Sequence, residues 1–359
     1  MSSLEDVLKK YIAADGPMHL ARYMELCLTH PEFGYYVTRD PFGTKGDFIT
    51  APEVSQMFGE MIGLWAAMLW SDSGKPQKLN VIELGAGRGT LMADLIRGTA
   101  KVPNFHDALH IAFVEKSPVL QDKQKCAVID AGFPRSPLWA EDIDGLDVDG
   151  MTFIIGNEFI DALPIRQFEY TDKGWMERCV GISDNGALAM GLIAADTLFT
   201  AHLPKGAAIG DICERSPARD HYMERIAALI KSNSGAALLI DYGHDTPEAK
   251  GDTFQAMREH AFVDPLDNAG NADLTSHVDF YRLREIAKAA GCDVFPSAPQ
   301  GEFLHKLGIG QRAQMLVESA PEKGAEIYEA YKRLTDDDKM GKLFKVMCIT
   351  SNINGTPII

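Results

Sequence analysis

Three glycines alternate in the run VIELGAGRGT (residues 81–90): Gly85, Gly87 and Gly89, with Glu83 two residues upstream and Ala86 between the first two. An apolar run enters this loop, and a helical pattern over 90–97 leaves it. Glycine admits positive φ and lets a ligand approach the backbone closely. The free N–H groups at a helix start favour an anionic or carboxylate-bearing group. Glu115 ends the apolar run 109–114, where a carboxylate can accept from both hydroxyls of a ribose. Asp142 precedes a third apolar run at 151–155 and can accept from an adenine amino group, although Glu141, Asp144, Asp147 and Asp149 make the whole stretch acidic. Beyond that run, in GNEFIDALP (residues 156–164), stand Asn157, Glu158 and Asp161. In an open parallel sheet the carboxyl ends of the strands form the ligand crevice, so these three lie where a second substrate is expected.

The residues of the glycine loop leave three readings open. A nicotinamide-type loop, G-x-G-x-x-G/A, fits Gly85 and Gly87 but meets Thr90 at its third position. A glycine-rich turn that holds no ligand is the plainest. The E-x-G-x-G-x-G spacing resembles that of S-adenosylmethionine-dependent methyltransferases. Their cofactor has an amino-acid end and no pyrophosphate, so an acid such as Glu83 can help hold its ammonium group.

The elements that must position these residues follow from periodicity. Helical spacing is expected near 4–12, 18–28 and 54–70, with a loop between the last two punctuated by Pro31, Gly34, Pro41, Gly43 and Gly46. From residue 76 strand-like runs alternate with helical ones, which predicts an α/β fold with a parallel sheet covered on both faces. Hairpin-like text interrupts the alternation at 166–170 and 175–181, with turns at Asp172-Lys173-Gly174 and Asp184-Asn185-Gly186. The expected organisation is an N-terminal helical region over 1–75, carrying a lid-like loop, and a core over 76–359. The core carries a β-rich insertion at about 165–200 and a helical one at about 300–340. The 359 residues hold 51 acidic against 35 basic side chains, a net charge of −16, which repels phosphate backbones and disfavours nucleic acid as a partner. Six cysteines are scattered without a CxxC pair, so neither a zinc site nor a redox pair is signalled. No run reaches the ~18 apolar residues of a membrane span. With the mixed-charge start MSSLEDVLKK, these features predict a cytoplasmic protein without membrane insertion.

Five segments together resemble the MidA-like S-adenosylmethionine-dependent methyltransferases: GDFITAPE (46–53), ELGAGRGT (83–90), NEFIDALP (157–164), LIDYG (239–243) and DLTSHVDF (273–280). They span nearly the whole chain, and the first and third are the specific ones. The resemblance implies a seven-stranded, Rossmann-like methyltransferase core with added helical and β elements, and S-adenosylmethionine as cofactor. It also implies a protein acceptor, since mitochondrial members methylate an arginine of the 49 kDa subunit of respiratory complex I and act in its assembly. Within GDFITAPE, Asp47 and Thr50 offer polar contacts, and such a segment can close over a cofactor and exclude water. A guanidinium acceptor stays protonated, with a pKa above ~12. Glu158 and Asp161 are the candidates to grip it bidentately and localise its charge, with Asn157 orienting. His277, with Asp273 and Asp279, is expected on the acceptor side, and Glu214 is a lesser candidate. Methylation of a different side chain or of a small molecule, or a cofactor-binding assembly chaperone, are the alternatives.

Overall fold

The computed structural model describes residues 3–38 and 50–359, and the chain divides into two compact units. The larger comprises Ile49–Ile160, Tyr222–Asp245 and Arg282–Ile359. Its sheet contains β1 (Leu79–Leu84), β2 (Leu109–Val114), β3 (Leu138–Ala140), β4 (Met151–Asn157), β5 (Gly235–His244), β6 (Asp293–Val294) and β7 (Phe344–Ser351). The order is β6-β7-β5-β4-β1-β2-β3. Strands β1 to β5 run parallel, and β7 runs antiparallel to β5. These seven strands of the sheet take the Rossmann-like order expected. Every residue of β1 is buried, as a strand covered on both faces requires, which is why its sequence reads as a run and not an alternation. The register pairs Leu84 with Val114 and with Gly156, and Ile240 with Asn157. The segments following β1, β2 and β4 therefore leave the sheet along one edge.

Helices α1 (Gln56–Asp72), α2 (Thr90–Thr99) and α3 (Pro118–Asp130) pack in this unit. The sequence pattern over 54–70 reads as one helix, but Ser55 interrupts it. Ser55 is extended at φ −164°, and its hydroxyl accepts from the Met57 amide, so it closes off Ala51–Val54 and caps α1. α1 touches α2 through glycine. A β-carbon on Gly59 would stand 2.8 Å from the Leu91 carbonyl oxygen, and one on Gly63 3.0 Å from that of Leu95. The apolar core includes Trp65, Trp70, Phe105, Phe113 and Phe153, and takes in Phe303 and Leu334 from the helical stretch that follows.

The smaller unit comprises Met1–Phe48, Asp161–His221 and Thr246–Tyr281. An antiparallel sheet joins Met18–His19, Gly174–Ile182, Arg166–Thr171 and Ile212–Arg215, with Leu188–Ala194 on the outer side of Gly174–Ile182. Both hairpin turns form where the sequence places them: Gly174 and Gly186 take φ +86° and +81°. A second, three-stranded sheet joins Ala261–Val263, Gln255–Arg258 and Asp273–Thr275. The helices Leu4–Asp15 and Leu20–Thr29 supply Leu4, Leu8, Tyr23 and Met24 to this unit's core, beside Ile165, Val180 and Leu274. No helix among the described residues is long and apolar enough to cross a membrane.

Candidate active site

The glycine loop leaves β1 with all three glycines left-handed: Gly85, Gly87 and Gly89 have φ of +62°, +52° and +81°. The Gly85 amide donates to the Val114 carbonyl at 3.1 Å, which ties the loop to β2. A β-carbon on Gly85 would lie 2.5 Å from the Phe159 ring, so the residue must lack one. Gly89 caps α2 without a side-chain acceptor, leaving that helix start to backbone N–H groups. Glu83, two residues before the loop, is buried, and its Oε2 has no hydrogen-bond partner among the described residues. Burial pushes its carboxyl up to about 8, opposed by a hydrogen bond from the Met92 amide. An orphaned carboxyl oxygen beside a glycine turn is the feature that an ammonium-bearing ligand would satisfy, so the residues fit the amino-acid end of S-adenosylmethionine.

Glu115 follows β2. Its Oε1 accepts from the Ser117 amide at 2.8 Å and its Oε2 from Gln124 Nε2 at 3.1 Å. Burial raises its pKa, against the pull of those donors. Each carboxylate oxygen keeps a second lone pair, which is what a ribose diol requires. Sequence reasoning missed Gln124. This fully buried side chain on α3 donates to the Gly87 carbonyl at 2.9 Å and to Glu115, and accepts from Trp139 Nε1 at 2.9 Å. One amide thus joins the ends of β1, β2 and β3. The signal was present, since Leu120, Gln124 and Val128 form the buried stripe of α3 and a polar residue in such a stripe needs partners. Asp142 caps a short turn after β3 and meets the Tyr222 hydroxyl at 3.4 Å. Tyr222 stacks edge-on against Phe159, whose ring borders Gly85. Asp142 is thereby joined to the glycine loop by two aromatic rings.

At the end of β4, Asn157 and Glu158 lie in this same unit. Glu158 takes φ +48°, a conformation that costs a non-glycine residue of order 1 kcal/mol or more and collects at functional sites. Its amide donates to the Ile240 carbonyl, and its Oε1 accepts from the Ala51 amide at 2.8 Å and from Asn157 Nδ2 at 3.3 Å. Asn157 Oδ1 is buried without a hydrogen-bond partner among the described residues. The Ile160 amide donates to Asp241, the acid of LIDYG, so that motif shapes the turn after β4. Thr50 stands at the start of Ala51–Val54 and makes no side-chain capping bond among the described residues. Glu53, in the same motif, accepts from the Thr90 hydroxyl at 2.7 Å. Asp47 lies outside the described residues.

Asp161 and His277 belong to the smaller unit. The guanidinium of Arg219, itself buried, donates to the carbonyl oxygens of Asp161, Ser276 and His277 at 3.0, 3.1 and 2.7 Å, and to Ser276 Oγ at 2.7 Å. It thereby brings NEFIDALP and DLTSHVDF together, a role that the sequence did not signal. Asp273 accepts from the Tyr36 hydroxyl at 2.8 Å. The His277 amide donates to Thr253 Oγ1, and that hydroxyl donates to Glu214, which sets Glu214 behind His277.

Residues 61–297 match the family described as "Putative S-adenosyl-L-methionine-dependent methyltransferase". A Xenopus tropicalis relative named "Protein arginine methyltransferase NDUFAF7, mitochondrial" is 35% identical over 94% of this chain and 83% of its own length. The Homo sapiens protein of that name is 32% identical over 94% and 81%. Among solved structures, a Burkholderia thailandensis protein described as a "likely methyl transferase", bound to S-adenosyl-homocysteine, superposes with a TM-score of 0.88. It is 28% identical and the match covers 99% of this chain and 93% of that one. The Xenopus tropicalis and Homo sapiens relatives are named as mitochondrial, which overturns the cytoplasmic expectation. That expectation rested on scattered cysteines, the lack of a membrane-length apolar run and a mixed-charge start, and none of the three identifies a compartment. The Glu83 and glycine-loop geometry and the full-length likeness agree: the chain belongs to the MidA-like family of S-adenosylmethionine-dependent methyltransferases.

Proposed function

We propose that this methyltransferase acts on an arginine of a protein acceptor, and that the 49 kDa-type subunit of respiratory complex I is that acceptor. The observation that carries the reading is the likeness, over 94% of the chain, to proteins named arginine methyltransferases. In the proposed roles, Glu83, Gly85, Ala86, Gly87 and Gly89 hold the amino-acid end of the cofactor, Glu115 its ribose and Asp142 its adenine, with Asp47 and Thr50 in the covering segment. S-adenosylmethionine supplies an electrophilic methyl group on a sulfonium that leaves as a neutral thioether. The chain has to align a guanidinium nitrogen with that methyl and take up the proton that the methylated guanidinium sheds. Glu158 grips two guanidinium N–H groups, draws the positive charge to that side and leaves the far nitrogen richer in electrons. Because the guanidinium shares its charge over three nitrogens, the methylated product sheds its extra proton from one of the N–H groups that Glu158 grips, and that carboxylate is the proposed acceptor. Asn157 orients Glu158 by the hydrogen bond between their side chains, while Asp161 and His277 are proposed for the acceptor side.

The test is transfer of labelled methyl from S-adenosylmethionine to the purified subunit, with the modified residue located by mass spectrometry. Label on an arginine is expected. Label on another side chain, or none at all with a folded, cofactor-binding enzyme, overturns the assignment. Glu158→Gln keeps an oxygen for the Ala51 amide and removes the charge. It is expected to bind cofactor as the wild type does and to lose transfer by roughly 10²-fold, the scale of one electrostatic contact in a dry site.

A further inference from the structure

GDFITAPE is one of the two specific segments of the resemblance, and Ala51 and Glu53 within it are assigned to neither the cofactor nor the acceptor. Two hydrogen bonds give them a role. The first amide of Ala51–Val54 donates to Glu158 Oε1 at 2.8 Å, and Glu53 accepts from the hydroxyl of Thr90 at 2.7 Å. Thr90 is the first residue of α2, next to Gly89 of the cofactor loop. Thr90 also stands where a dinucleotide loop needs glycine or alanine, so its hydroxyl has a use that such a loop lacks. The four-residue helix thus has one end on the cofactor loop and the other on the carboxylate assigned to the guanidinium. Glu158 sits in left-handed backbone, φ +48°, a conformation that persists only when its surroundings hold it.

We infer that Glu53 and Thr90 are positioning residues: their hydrogen bond fixes Ala51–Val54 to the cofactor loop, and through the Ala51 amide it sets the Glu158 carboxylate relative to the transferring methyl. This rests on the guanidinium role of Glu158. The Glu53–Thr90 bond acts on geometry and not on cofactor affinity, since neither side chain is assigned to the cofactor. Loosening it therefore lowers turnover while the cofactor is still held.

The experiment compares Thr90→Val, which keeps the shape and removes the hydroxyl, with Thr90→Ser, which keeps the hydroxyl, and with Glu53→Ala. Amide exchange of residues 50–54 is followed in the cofactor-free protein, and turnover, cofactor dissociation constant and melting temperature are measured beside it. In Thr90→Val and Glu53→Ala the Ala51 amide is expected to lose protection, and kcat to fall roughly 10- to 100-fold, the cost of an ångström-scale misplacement. The cofactor dissociation constant stays within about twofold, and Thr90→Ser recovers both protection and turnover, because one shared hydrogen bond is at stake. In a Glu158→Gln background Thr90→Val has little further effect on kcat, as expected for two residues acting through one contact. Unchanged Ala51 protection in Thr90→Val and Glu53→Ala overturns the inference, as does a fall in kcat that adds in full to that of Glu158→Gln. Normal turnover by Thr90→Val beside an impaired Glu158→Gln overturns the positioning role alone. Normal turnover by Glu158→Gln overturns the guanidinium role and this inference with it.

Discussion

Burial pushes the Glu83 carboxyl up to about 8, so at neutral pH it largely keeps its proton until a cation arrives. If the ammonium of the cofactor binds there, binding must expel that proton. Cofactor affinity should then strengthen about tenfold per pH unit as pH rises from about 6 toward 8, and level off above. Calorimetry in buffers of different ionisation enthalpy reads the proton directly. A flat profile with no proton released would remove Glu83 from the ammonium site. The same shift governs stability. A carboxyl raised above its unfolded value favours the folded state below that value, and its contribution is lost as pH rises through 8. Glu83→Gln should accordingly bind cofactor more weakly with a flat pH profile, yet melt no lower than wild type at pH values above about 8. A variant that melts far below wild type there would show that the negative charge itself supports the fold. Glu83 and the glycines were legible in the sequence because a loop between strand and helix announces itself locally. Glu53 and Arg219 were not, since each draws its meaning from a partner far along the chain, Thr90 for Glu53 and Ser276 for Arg219; Gln124 stands out as a polar residue in an apolar stripe, but its partner Gly87 does not.

Elements carry the site by meeting closely and in register. The contact of α1 with α2 is one such meeting, and it bears on the glycine loop proposed for the cofactor because α2 begins at that loop. A β-carbon on Gly59 would fall 2.5 Å from the Asp94 β-carbon and 2.8 Å from the Leu91 carbonyl, atoms that cannot swing aside. Gly59→Ala should cost about 1–3 kcal/mol by overpacking and weaken cofactor binding through the displaced helix. Denaturant titration and calorimetry on the same preparation check both, and an unchanged midpoint would mean that the helices slide apart freely. Gln124→Leu tests the tie between strands. It leaves the Trp139 indole N–H without its acceptor and takes a donor from both Gly87 and Glu115, at about 1–3 kcal/mol for each group left unsatisfied. Stability equal to wild type would show that water replaces the amide. The strands of the core were readable because a strand covered on both faces is a bounded apolar run, as β1 is. The break at Ser55 was not, because the helical pattern continues across it and only the capping hydroxyl marks the stop.

At the scale of the molecule, the sequence invites a boundary near residue 75, whereas the compact units change at 48/49, 160/161, 221/222, 245/246 and 281/282. Hydrophobic periodicity is a local signal, and it gives no sign that segments this far apart fold as one body. NEFIDALP itself is cut, with Glu158 in one unit and Asp161 in the other. Net charge, by contrast, is a property that sequence alone supplies, and it bears on recruitment. A chain of −16 surrounds itself with a negative potential that attracts a cationic acceptor and disfavours acidic ones. Such attraction acts over the Debye length, about 10 Å at 0.1 M salt and about 3 Å at 1 M. Salt should therefore weaken the encounter with an arginine-bearing protein and hardly touch a cofactor held by partly buried groups, the role proposed for Glu115. Between about 0.05 and 0.5 M salt, KM for the acceptor is expected to rise by about tenfold or more, with kcat at saturating acceptor little changed. The cofactor dissociation constant should move by less than about twofold over the same range. Initial rates at several acceptor concentrations, with the ionic strength set by a chloride salt, separate the two. An acceptor KM that stays level across the series would mean that the charge serves solubility, and that the acceptor is recognised by contact alone.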